Sequence, residues 1–98
     1  MPNSYIMNKE QWMSEVIELL PDVFTKSEHG SKDDVAFDLS LEYGIISGLV
    51  PSGWYPDEAL DIFINKEYDK GNIEESDVKE FEYKLEAYHN KKSAANKN

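Results

Sequence analysis

"SKDDVAFDLSLEYGIISGLVPSG", residues 31–53, carries two incompatible periods. Val35, Phe37, Leu39, Leu41 and Tyr43 alternate with Ala36, Asp38, Ser40 and Glu42, which is the period of two expected of a strand. Val35, Leu39, Tyr43, Ile46 and Val50 also make an apolar stripe at near-helical spacing, and it continues beyond the point where alternation fails. Ser31 can cap such a helix, with Asp34 three residues later to complete the cap. A strand needs a partner to satisfy its backbone groups, and no second segment alternates convincingly. The stretch therefore predicts a helix over 32–48, ended by Pro51 and Gly53. A strand over 35–43 would make the fold α+β instead.

On the N-terminal side, "NKEQWMSEVIELLPDVF" places Trp12, Val16, Ile17, Leu19, Leu20 and Phe24 at near-helical spacing behind a candidate cap, Asn8, with Gln11 three residues on. A helix over 9–20 follows, stopped or kinked by Pro21, and "TKSEHGSK" reads as a loop. On the C-terminal side, Pro56 suits the first turn of a third helix, with Ala59, Leu60, Ile62, Phe63 and Tyr68 as its apolar positions and Gly71 as its stop. A fourth helix starts near Glu74 and presents Val78, Phe81, Leu85 and Tyr88. Its Glu75–Lys79 and Glu80–Lys84 pairs are spaced for a solvated face. The fold class expected is all-α, a compact bundle of about four helices, with residues 1–90 as one acidic domain and the Lys- and Asn-rich 91–98 as a flexible tail.

With 98 residues there is room for one modest core and none for a second lobe. Hydrophobic residues at 40% and aromatics at 12% argue against disorder. The absence of cysteine excludes disulfides, thiolate zinc sites and a cysteine nucleophile. The start has no basic region followed by an apolar run, and no stretch approaches the roughly 20 apolar residues of a membrane span. The cytosol is the expected compartment.

Twenty acidic residues face ten lysines and no arginine, for a net charge of −10. Three of those lysines lie in the tail, so 1–90 holds twenty acids against seven lysines, a net of −13. Such a field repels nucleic-acid phosphates and attracts a basic protein. Catalytic chemistry is hard to find. His29 and His89 lack metal-ligand spacing, and there is no glycine-rich phosphate loop. "KEYDKGNIEESD" can be laid on an EF-hand loop only with Lys66, Tyr68 and Lys70 at the first three ligand positions, where calcium needs oxygens. The pairs Asp33–Asp34 and Glu74–Glu75 fall where helices begin and fit capping better than acid–base work. No enzyme, cofactor or metal is expected.

The informative acids are Asp34, Asp38 and Glu42, which share one face on either a helix or a strand. No lysine between Lys32 and Lys66 relieves them, and Asp57 and Asp61 repeat the spacing on the third helix. Between the two rows sit Trp54 and Tyr55, residue types that bring large contact area to interfaces with few torsions to freeze. Trp54 can also fold back on Ala59 or Leu60 as a hydrophobic staple.

The segment "WYPDE", in an acidic, cysteine-free, four-helix chain, resembles the small immunity proteins that protect bacteria from nuclease colicins, in which a tyrosine pair before a proline anchors the basic toxin. The local match is Tyr55-Pro56, with Trp54 where that family carries tyrosine, and the helical plan covers 8–90. That family's third helix is very short, whereas "PDEALDIFINKEYDK" predicts a long one. The resemblance implies a stoichiometric inhibitor of a basic nuclease toxin, with Trp54 and Tyr55 as anchors and Asp34, Asp38, Glu42, Asp57, Glu58 and Asp61 complementing its basic residues. The alternative expectation is a DNA mimic of the anti-CRISPR or anti-restriction kind, with a charged surface and little aromatic anchoring.

Overall fold

The computed structural model describes residues 7–95, with side chains to Lys91. It is an all-α bundle of four helices: α1 (Lys9–Leu19), α2 (Lys32–Glu42), α3 (Pro56–Asp69) and α4 (Glu75–Ala95), with a short 3-10 turn at Asp22–Thr25. No strand forms among the described residues; two isolated bridges, Ser27 with Gly30 and Ile46 with Leu49, only close tight turns.

Each helix begins on local chemistry. Asn8 Oδ1 accepts the Gln11 N–H at 2.7 Å, while the Gln11 side chain turns to Glu15 instead of completing a box. Ser31 and Asp34 form the full capping box expected of them. Pro56 opens α3, and the Tyr55 N–H donates to Glu58 Oε1 at 3.2 Å. At α4, the Glu74 N–H donates to Asp77 Oδ2 at 2.9 Å.

Two boundaries differ from expectation. The stop of α2 is Gly44 and not Pro51: at φ 64° it lets the Ile45 N–H reach the Ser40 carbonyl and its own N–H reach that of Leu41. This is a complete Schellman ending, and the competing hydrogen bonds end the helix although the apolar stripe runs on. Ile46 is consequently exposed, while Val50 returns to the core from a loop. Helix α4, in contrast, continues past His89 to Ala95, through lysines and alanines that favour helix. Lys91 lies 3.4 Å from Glu18 of α1. The rest of the expected tail, 96–98, lies outside the described residues.

Helix α1 is the centre of the packing, in contact with α2, α3 and α4. Trp12 and Val16 are fully buried on it, and Leu20, Phe24, Val35, Leu39, Leu60, Ile64, Phe81 and Tyr88 close around them. The Trp12 indole N–H donates to the Trp54 carbonyl at 2.9 Å, which ties the approach to α3 onto α1. The Tyr88 hydroxyl likewise reaches Glu15. After Pro21 the chain is clamped by charge: Asp22 sits 3.0 Å from Lys32 and 3.4 Å from Lys84, and its N–H donates to Glu80 at 2.8 Å. Lys84 also donates to the Leu20 carbonyl, so the Glu80–Lys84 pair expected on a solvated face is a tertiary joint. Because α2 and α3 pack chiefly on α1 and make few direct contacts with each other, a cleft is left between them.

Candidate functional site

The aromatic pair of the "WYPDE" segment is largely built into the fold. The Trp54 ring stacks on Tyr43 at 4.3 Å between centroids and 9° between planes, joining the end of α2 to the start of α3. Trp54 also packs against the buried core, to which Ala59 and Leu60 belong. Tyr43, half-buried, has its hydroxyl pKa raised, first by burial and then by neighbouring Glu42. Tyr55 is the N-cap residue of α3 and is also half-buried.

The acids divide into several settings. Asp34 is spent on the α2 cap, where the Ser31 backbone and hydroxyl hold its carboxyl below the usual range. Glu58 caps α3. Asp57 meets His89 Nε2 of α4 at 2.9 Å, and Asp61 lies within 3.4 Å of the Asn65 amide on its own helix. Of the six acids expected at the site, Asp38 and Glu42 line the α2–α3 cleft. At about 100° per residue, Asp57 and Asp61 lie roughly opposite Lys66 and Lys70 on α3, and those two lysines are on the cleft side. The two acidic rows therefore do not merge into one face.

Two features escape the sequence reading. The first is the outer face of α2. Phe37 and Leu41 are 47% and 59% exposed, one turn apart, with Asp34, Asp38 and Glu42 along one flank and Asp33 on the other. Ile46 and Leu49, 63% and 62% exposed, project from the turn that follows. The Lys9 ammonium lies 5.3 Å from the Phe37 ring centroid and shares a shallow depression with Ser47, which brings that turn beside the helix. The signal was present in the alternation itself: once Val35 and Leu39 face the core, Phe37 and Leu41 lie about 200° away from them and must face out.

The second feature is the cleft, a cavity of about 240 Å³ lined by Val35, Leu39 and Phe63 below and by Asp38, Glu42, Lys66 and Lys70 nearer solvent. Glu67 is buried in its wall at 3% exposure. Its Oε1 accepts from His29 Nε2 at 3.0 Å and from the Asn72 amide at 3.2 Å. Nothing in the sequence links His29 to Glu67 across 38 positions; the turn closed by Ser27 and Gly30 brings them together. Among the described residues, no group of three or more His, Asp or Glu side chains is placed to hold a metal ion. No helix among them is long and apolar enough to cross a membrane.

The site thus belongs to an acidic helical bundle with one open apolar and acidic helix face beside a charged cleft. No family model, curated protein or solved structure matches this chain.

Proposed function

We propose that this chain is a cytosolic stoichiometric inhibitor, an immunity protein that binds and neutralises a basic nuclease toxin of bacteria. The observation that carries the reading is the α2 face: exposed Phe37 and Leu41 flanked by carboxylates, with Ile46 and Leu49 exposed alongside. A cluster of exposed apolar side chains on a small protein marks a surface for a partner, and the carboxylates along its flanks set the sign of charge that the partner brings. In a chain of net charge −10 that partner is basic. Phe37 and Leu41 are the anchors, while Asp38 and Glu42 steer and orient. Trp54 and Tyr55, half-buried, contribute second to these. The DNA-mimic alternative uses the same charge but has no need of apolar anchors at its centre.

The test is capture from the native cell with tagged wild type, identification of the retained protein, and titration of its purified activity with this chain. The expected outcome is a basic nuclease fully silenced at one inhibitor per enzyme, with capture weakened by salt and by Phe37→Ser, Leu41→Ser. Retention of nucleic-acid-binding proteins that ignores the double substitution would replace inhibition by mimicry.

A further inference from the structure

We propose that the outer face of α2 and the 44–50 turn receive a single amphipathic helix of the partner, apolar where it lies on Phe37 and Leu41 and basic along the flank that passes Asp38 and Glu42. For the identity of the partner this rests on the inhibitor reading above; the docking mode rests on the surface itself.

The turn is built to hold its apolar side chains outward. Ile45 and Val50, at 5% and 4% exposure, pin it to the core at both ends. Between them the Leu49 N–H donates to the Ile46 carbonyl at 3.0 Å, and Gly44 and Gly48, at φ 64° and 83°, make the bends. Ile46 and Leu49 therefore project from a closed turn, and little ordering remains to oppose a partner that covers them. Beside that turn, Phe37 and Leu41 form an i,i+4 ridge on α2.

Such a surface selects the element that covers it. An extended peptide is held through backbone hydrogen bonds to a free sheet edge, and no strand among the described residues offers one. The backbone of α2 is already spent on its own helix. A docking helix needs no main-chain partner, because its i,i+3 and i,i+4 rows interdigitate with the α2 ridge and its apolar stripe covers the exposed side chains.

The two borders of the face differ in charge. At about 100° per residue, Leu41 lies between Phe37 and the row of Asp38 and Glu42. The edge away from that row is the Phe37 edge, where the Lys9 ammonium lies 5.3 Å from the ring centroid and Asp33 offsets it. Lys66 and Lys70 stand across the cleft on α3, beyond the acid row. A helix laid on this face thus meets uncompensated carboxylates along one flank and a balanced border along the other. A second copy of a chain of net charge −10 brings the wrong sign.

The probe is a synthetic peptide of about 15 residues, with leucine at helical spacing on one side, lysine along one flank and glutamine elsewhere, short enough to be largely unfolded alone. Its control has the same residues in an order that breaks the apolar stripe. Titration into the isotopically labelled full chain should give saturable amide shifts at Phe37, Leu41, Ile46 and Leu49, with helical circular dichroism gained on mixing, and neither from the control. Phe37→Ser with Leu41→Ser should weaken binding by roughly thirtyfold or more. Asp38→Asn with Glu42→Gln, both surface changes, should weaken it by roughly fivefold. Moving the lysines to the opposite flank should reverse the docked helix, so that a nitroxide at the peptide N-terminus broadens the Asp33 end of the face with one peptide and the Ile46 end with the other. Equal shifts from the control, a probe that stays unfolded, or one direction for both peptides overturns the proposal. Shifts of the same amides with protein concentration alone assign the face to a second copy and also overturn it. Probe docking with no nuclease captured leaves the helix site standing and removes the inhibitor reading. A silenced nuclease together with a probe that never folds on the face does the opposite.

Discussion

The start of α3 and the outer face of α2 are made of the same ingredients, aromatic or apolar side chains among acids, yet they are put to opposite uses. At α3, Trp54 is stacked on Tyr43, Glu58 caps the helix and Asp57 meets His89. On α2, Phe37 and Leu41 are about half exposed, and Asp38 and Glu42 have no ion-pair partner among the described residues. Composition cannot tell an acid that closes a helix from one left for a partner; only its hydrogen bonds can.

The largest effect expected from this contrast is on folding at the α3 side. Trp54→Ala removes the stack and opens a hole beside Tyr43, and a loss of about 3 kcal/mol follows, the low end for a tryptophan because this one is half-buried. Urea unfolding measures it. A loss below about 1 kcal/mol would mean that the stack is not a structural joint and that Trp54 is free to serve as an anchor.

The α2 face predicts the converse. Phe37→Ser with Leu41→Ser should lower stability by only about 1 kcal/mol, because Leu41 is mostly in water and Phe37, 47% exposed, gives up part of its packing and its contact with Lys9. Binding of the partner should fall by 2 kcal/mol or more, the scale of an interface hot spot. Lost stability with intact binding would exchange the roles of the two regions.

Much of the fold was legible because its signals are local. Asn8, Ser31, Pro21, Pro56 and Gly71 each act within a few residues, and the boundaries they predict are met within a residue or so. The end of α2 was missed for a physical reason. The stripe through Ile46 and Val50 fits a helix as well as it fits a helix followed by a turn, and a single glycine at positive φ decides between them. The candidate site was less legible, since its members meet only through packing on α1. Glu67 reads as one more surface acid until the 26–31 turn lays His29 against it. Lys66 and Lys70 read as remote from Asp38 and Glu42 until α3 is set opposite α2.

Gly44 gives a smaller and sharper test of that boundary. A Cβ built there meets nothing within 4 Å, so Gly44→Ala changes the backbone preference without a clash. Holding alanine at φ 64° should cost about 1 kcal/mol. If stability instead stays level or rises, α2 can extend beyond Glu42, and Ile46 with Leu49 would leave their place beside Phe37.

The smallest effect separates an acid that holds the fold from one that does not. The Asp22 carboxyl lies below its ordinary value of 3.8, first through the hydrogen bond from Lys32 and then through the charge of Lys84. A depressed folded-state pKa means that the unfolded chain takes up the proton first as pH falls. The stabilisation is therefore complete well above 3.8 and fades as pH drops through that value toward the folded pKa. Asp22→Asn should lower stability at neutral pH slightly, since the Asp22 carboxylate is solvent-exposed, and should flatten the acid limb of a stability–pH curve. An acid limb left unchanged by Asp22→Asn would show that the limb reports net charge alone, and the binding of Asp22 into the fold by Lys32 and Lys84 would have no energetic counterpart.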